Sequence, residues 1–455
     1  MKIRSVNPFT AQVVEEFDLQ DLHHCRKAVE RAREASEAWA HAPLEDRLAL
    51  IEKTGRVLER SQDRYARIIT EEMGKPISQS RAEIEKCAFL CRYYAREAPS
   101  FLQDEPSPTE HHDSYVTYEP LGVLLGIMPW NYPFWQVLRF AIPALTAGNA
   151  CLLKHASNVP RSALETERIF REAGLDAGVF QTLLMDARTT MRLLEEDGLD
   201  GVSLTGSLSA GSQVGAAAGR GIKKLVLELG GSDPFVVLDD ADLESAAETG
   251  LLSRMINTGQ SCIAAKRFIV MESVAQAFQE KLVRGLKSLR VGDPMDEETQ
   301  VGPLAAKDFA GILEAQVEDA KQKGASVVYG PEPPEGEGFF FRPALLTEVK
   351  PSMRVLKEEV FGPVAPIVVV ADEEEAVRAA NETEFGLGAA VWSADVERAV
   401  RLSRKIRAGF VAVNDMVKSD PRLPFGGVKK SGVGRELSHF GLKEFVNVKT
   451  MAVRR

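Results

Sequence analysis

Between residues 122 and 238 the chain alternates short apolar runs with stretches of helical periodicity, and this alternation constrains the fold more than any other feature. The runs cover 122–127, 150–153, 179–184, 202–204, 224–229 and 235–238, and 161–173, 189–194 and 207–218 read as helices between them. Strands that are apolar without interruption must be covered on both faces, as in a parallel sheet flanked by helices. In such sheets ligands sit beyond the carboxyl ends of the strands. A second α/β series follows Gly231, with strands expected at 268–271, 326–329, 366–370 and 388–392 and helices at 274–289 and 305–324. Residues 1–105 read as mostly helical, with Leu48, Ile51 and Leu58 near helical spacing and Gly74 as a helix stop. Residues 444–450 read as an edge strand.

A length of 455 residues implies roughly three folding units. Composition enters mainly by exclusion. A formal net charge of -10 argues against general nucleic-acid binding, while leaving room for a local basic pocket. The apolar stretch 121–128 is far shorter than the ~20 residues of a membrane helix. Residues 1–8 hold no hydrophobic leader core, so a cytoplasmic location is expected. The 5 cysteines are odd in number and scattered, which reads as reduced thiols. Cys87 and Cys91 stand four apart on an expected helix, but no histidine pair accompanies them, and no metal site is expected.

Three residues make a kit for covalent chemistry on a carbonyl. Cys262 supplies a thiol, Glu228 a carboxylate at the end of an apolar strand, and Asn131, after Pro129 and Trp130, an amide donor. Taken singly, Cys262 is equally a small buried hydrophobe and Asn131 a helix cap. Glu228 is the hardest to explain structurally, because a carboxylate there is costly unless solvated, paired or functional. Gly206-Ser207 with Gly211 marks a strand running into a helix, whose N-terminus suits a phosphate. By itself this is also an ordinary turn. Lys154 and Ser157 lie at the end of another expected strand, and Glu359 and Phe361 bring a carboxylate and an aromatic ring.

Read together, these motifs resemble the aldehyde dehydrogenase superfamily over nearly the whole chain. The matching pieces are Pro129-Trp130-Asn131, Lys154, Gly206-Ser207 to Gly211, Glu228-Leu229-Gly230-Gly231, Gly259-Gln260-Ser261-Cys262, Glu359-Val360-Phe361-Gly362-Pro363, Pro424-Phe425-Gly426-Gly427 and Ser431 to Glu436. The resemblance implies a Rossmann-like nicotinamide-dinucleotide domain from 1–107 and 121–230, and a catalytic α/β domain from 231–430. It also implies a small β oligomerisation element from 108–120 and 431–455, hence a homodimer or homotetramer. It implies that Cys262 attacks an aldehyde, Asn131 holds the oxyanion, Glu228 activates the water that hydrolyses the resulting thioester, and Glu436 serves as an auxiliary proton relay. Pro129, Trp130, Lys154, Ser157, Gly206, Ser207, Gly211, Leu229, Glu359 and Phe361 are the implied cofactor contacts.

Many NAD-preferring relatives carry a glutamate where this chain has Ser157. Serine removes the repulsion of a 2′-phosphate, so NADP is expected, with NAD as the weaker cofactor. Arg139, about two helical turns beyond Asn131, is expected to grip an anionic aldehyde. Succinate-semialdehyde dehydrogenases resemble the chain there and at Ser419. Trp135, Ser261 and Phe425 complete the expected substrate site, with Trp130 and Trp135 as apolar walls. Some members of that subgroup carry a second arginine where this chain has Ile256, which implies looser carboxylate binding. Alternatives are a broad-specificity aldehyde dehydrogenase and an enzyme that passes the thioester to coenzyme A; retention of Glu228 favours hydrolysis. A reachable, low-pKa Cys262 is further expected to oxidise readily in peroxide.

Overall fold

A computed structural model describes residues 2–330 and 338–454. Two largely parallel sheets organise the chain. The first runs Gly432–Val433, Lys224–Glu228, Gly201–Thr205, Val123–Met128, Ala150–His155, Phe180–Thr182, and only its Gly432–Val433 edge is antiparallel. Val123, Leu124, Leu125, Leu152, Leu153, Val202 and Val226 are fully buried in it, as continuous apolar strands require. Helices Trp135–Thr146, Pro160–Ala173, Ala187–Glu195 and Leu208–Arg220 are its crossovers.

The second sheet runs Ser326–Tyr329, Ala344–Thr347, Val364–Val370, Arg267–Met271, Pro234–Val237, Gly388–Trp392, Phe410–Val413. It is parallel except for its first pair. The run at 235–238, which continues the first apolar series in sequence, therefore belongs to the second sheet. Gly230 and Gly231 carry the chain across: a Cβ on Gly231 would stand 2.6 Å from the Cys262 carbonyl, so no larger residue fits the crossing.

A third sheet pairs Val446–Val453 with Asp113–Pro120 in antiparallel register, with Glu105–Pro106 beyond. Gly432–Val433 does not join it. This part of 431–455 instead edges the first sheet, and that brings Glu436 into the interior. The helical reading of the first hundred residues holds for Leu22–His41, Leu44–Arg60, Gln62–Met73 and Ile77–Leu102, and Gly74 ends the third with φ 75°. Lys2–Val6 and Val13–Asp18 form a hairpin rather than helix.

Candidate active site

The site begins with a strained turn. Asn257, Thr258 and Gly259 have φ of 54°, 55° and 73° in succession. A left-handed β-branched residue is costly and persists only where its surroundings over-determine it. Here the Asn257 side chain donates to the Asn131 carbonyl at 2.8 Å and the Gln260 carbonyl at 3.1 Å, while the Thr258 hydroxyl donates to Gly302 O and accepts from Gly302 N, both at 3.1 Å. The buried Arg254 guanidinium donates to Gly259 O at 2.7 Å and Gly362 O at 2.8 Å. The turn delivers Ser261 and Cys262 to the wall of a cavity of ≈ 200 Å³.

Asn131 is held directly behind. Its Nδ2 donates to Gln260 O at 3.1 Å, two residues before the thiol. One amide hydrogen is thus fixed and the other remains free. The backbone N–H of Cys262 meets no backbone acceptor among the described residues. Lys266, one turn on, donates to the Cys262 carbonyl at 2.5 Å and to Glu359 Oε1 at 2.9 Å. Burial pushes the Cys262 thiol up to about 12, against the pull of Lys266 and Arg139. Burial thus runs against the low pKa expected of this thiol.

Glu228 ends its strand 2% exposed, with neither carboxylate oxygen hydrogen-bonded. It stands against Gly426, where a Cβ would lie 2.7 Å from Glu228 Oε1. Burial and the neighbouring Glu436 carboxylate push it well above the usual range; Arg139 pulls the other way. Glu436 is itself 4% exposed and ion-paired with Arg139, not with Arg435, which donates to the carbonyls of Gly427 and Gly434. Burial raises Glu436 too, opposed by Arg139.

Arg139 does line the cavity, 2% exposed and 4.7 Å from the Phe425 ring centroid. Its Nε is ion-paired with Glu436, while a terminal nitrogen reaches Thr205 Oγ1 only at 3.5 Å. Trp135, Ser261, Ser419 and Phe425 line the same cavity as expected, and Ile256 forms part of its apolar wall. Trp130 does not line it. It stacks on Phe309 at 5.0 Å and meets Phe361 edge-on at 5.7 Å.

The remaining candidates gather at the carboxyl ends of the first sheet. Lys154 ends a strand, pushed down by burial, with Asp186 opposing. Ser157 is exposed in the following turn. Ser207 caps helix Leu208–Arg220, accepting from Ala210 N at 3.3 Å. A Cβ on Gly206 would meet only Leu204, at 3.6 Å, and Gly211 lets the helix settle on Leu229, whose side chain would lie 2.5 Å from an added Cβ. Glu359 is partly engaged by Lys266 and by Gly231 N at 3.2 Å. A cationic strand end, a free helix N-terminus and close backbone approach suit a phosphate-bearing dinucleotide.

Lys86 on the cavity wall and Lys266 against the Cys262 carbonyl are not singled out by the sequence reading. Lys266 falls four residues after Cys262, a spacing that signals proximity only if the turn is known. Lys86 lies among the many charges of helix Ile77–Leu102 and carries no motif.

The model of the aldehyde dehydrogenase family matches residues 1–451. A probable NADP-dependent succinate-semialdehyde dehydrogenase of Synechocystis is 47% identical over 99% of this chain and 99% of its own length. A succinate semialdehyde dehydrogenase of Escherichia coli, named for NAD(P), is 42% identical over 98% and 97%. A succinic semialdehyde dehydrogenase of Streptococcus pyogenes, solved with NADP+, superposes with TM-score 0.97 at 36% identity, covering 100% of both chains. The end-to-end match places this chain in the aldehyde dehydrogenase family.

Proposed function

We propose that the protein oxidises succinate semialdehyde to succinate with NADP, using NAD less well. The observation that carries the reading is the cavity itself: Cys262 on one wall, Trp135 and Phe425 as apolar sides, and cationic and hydroxyl groups to receive a carboxylate. The similar proteins named for this substrate and cofactor support it.

In this reading the Cys262 thiol gives its proton to solvent, its sulfur bonds to the aldehyde carbon, and the carbonyl electron pair moves onto the oxygen. The oxygen of the adduct takes the free amide hydrogen of Asn131 and the Cys262 backbone N–H, donors of a kind that contribute about 10²–10³ in rate. The nicotinamide ring, when bound, accepts the hydride that leaves this carbon. Lys154, Ser157, Gly206, Ser207, Gly211, Leu229, Glu359, Phe361, Pro129 and Trp130 are the residues that would hold the dinucleotide. Glu228, once ionised, takes a proton from water; the oxygen attacks the thioester and the thiolate leaves, releasing the acid. Glu436 shares the Arg139 charge and would pass the proton on.

We further read 1–107 and 121–230 as the dinucleotide domain, 231–430 as the catalytic domain, and 108–120 with the C-terminal strand as the surface that joins copies, in a cytoplasmic enzyme. Val448 and Phe440 are 59% and 51% exposed beside that third sheet, which supports a dimer or tetramer. Sedimentation velocity of the purified protein is expected to give one of these; a monomer would end that reading.

The activity test follows nicotinamide reduction with succinate semialdehyde and with butanal, each with NADP and NAD. Preference for succinate semialdehyde and for NADP is expected. Ser157→Glu places a carboxylate where the 2′-phosphate would sit, and is expected to shift the cofactor preference toward NAD by about tenfold or more, the worth of one charge-assisted contact. Equal rates with both aldehydes would instead indicate a broad-specificity enzyme.

A further inference from the structure

The Lys266 side chain is fully buried beside the turn that presents Cys262. Its ammonium donates to the Cys262 carbonyl at 2.5 Å and to Glu359 Oε1 at 2.9 Å. Its backbone N–H donates to Asp233 O at 3.0 Å, at the head of strand Arg267–Met271, so the stem starts from a fixed point. An ammonium carries three hydrogens. The third finds no acceptor among the described residues. Glu359 does not spend itself wholly on Lys266: its side chain is 23% exposed, and Oε1 also accepts from Gly231 N at 3.2 Å.

A buried ammonium needs negative charge close by, and a half-solvated carboxylate supplies it incompletely. A sulfur that loses its proton needs positive charge close by. We propose that Lys266 is a positioning residue of the reaction: its ammonium, held between the Cys262 carbonyl and the Glu359 carboxylate, is the counter-charge that serves the sulfur when it ionises, and Glu359 governs how much of that charge is left over. In that step the S–H bond breaks, the proton goes to solvent and the electron pair stays on sulfur. Lys266 meanwhile grips the carbonyl of the same residue, so one side chain both fixes the nucleophile and offsets its charge. The inference rests on the reading of Cys262 as the nucleophile and names the group that supports it.

The charged and titratable groups facing the sulfur come from several elements. They are Lys266, Arg139 from helix Trp135–Thr146, Glu359 just beyond helix Arg354–Lys357, Asp233 before strand Pro234–Val237, and Tyr132. Burial holds the thiol up. Lys266 is the leading charge that pulls it down, ahead of Arg139, while Glu359 and Asp233 push it up.

The experiment follows alkylation of the cofactor-free protein by iodoacetamide, from about pH 7 to 9, in the wild type, Lys266→Met and Glu359→Gln. The other four cysteines are fully buried, and peptide mass spectrometry locates the label. Lys266→Met keeps the stem and loses the charge. It is expected to move the midpoint of the alkylation profile up by about one pH unit or more, the effect of one close opposite charge. The rate at fixed pH should then fall about three- to tenfold, because thiolate becomes scarcer while the more basic sulfur is the better nucleophile. Glu359→Gln leaves the ammonium without its carboxylate. It is expected to act in the reverse sense, lowering the midpoint and speeding alkylation about threefold or more. A merely loosened turn would speed both variants alike. Unchanged midpoints, or shifts of the same sign, overturn the proposal. If circular dichroism shows that Lys266→Met does not fold, Glu359→Gln decides alone: a lowered midpoint supports the proposal, and an unchanged or raised one overturns it. Activity that survives full alkylation of the wild type removes the nucleophile reading, and the role of Lys266 with it. Activity lost in step with alkylation, but without the opposed shifts, removes Lys266 alone.

Discussion

Replacing Cys262 with alanine is expected to lower the rate of nicotinamide reduction by at least about 10⁴-fold, the scale seen when a covalent nucleophile is removed. The structure offers no substitute. Cys25, Cys87, Cys91 and Cys151 are all fully buried, and Cys262 is the one thiol on the cavity wall. The variant should fold normally, because Cys262 is only half-buried and its local structure is held by its carbonyl, which Lys266 engages, rather than by the sulfur. Retained NADP binding, read by titration, would show that the loss is chemical. Residual activity within about tenfold of the wild type would remove the thiol from the mechanism.

The second large effect is expected at Glu228. Glu228→Gln keeps the size of the side chain and removes the base. Hydride release precedes the step that needs the base, so the variant should form about one reduced nicotinamide per active site in a burst. Steady turnover should then fall about 10²–10⁴-fold, the usual contribution of a general base. Stability should hold or rise, because the amide replaces a buried carboxyl with no hydrogen-bond partner. The pH dependence has a definite sign. Burial and Glu436 hold Glu228 well above the ordinary carboxylate range, so its acid form persists to higher pH than that of an exposed carboxyl. The basic form grows as pH rises, and wild-type turnover should climb with it; the glutamine variant should lose that limb. Full steady turnover in Glu228→Gln would transfer the hydrolytic role elsewhere. Rescue of its turnover by coenzyme A would show that the thioester accumulates and awaits an acceptor.

Both predictions start from residues that could be read before any coordinates were known. Cys262, Glu228 and Asn131 stand in short, ordered motifs, and the strands beneath them announce themselves because parallel strands are apolar on both faces. The expected strands 326–329 and 388–392 match the observed elements residue for residue. The N-terminal hairpin was illegible for the opposite reason. Its residues Lys2, Arg4, Glu15 and Glu16 lie along a two-stranded ribbon with little buried surface, so no apolar alternation marks it. The strand at 235–238 looked like a member of the first sheet because it follows Glu228 so closely. Periodicity describes how a strand is buried, not which neighbour it pairs with.

Charge was the least legible quantity. Arg139 and Glu436 lie far apart in sequence, yet share one buried ion pair. That pairing exists only because Gly432–Val433 zips onto Lys224–Glu228 and turns the following residues inward. The sequence by itself determined the α/β layering, the family and the reacting trio, because these depend on local periodicity and on motifs read within a few residues. Only the tertiary structure decided which charges are paired and which carboxyl is buried without a hydrogen-bond partner. Those properties depend on distance and burial between segments that the chain brings together last.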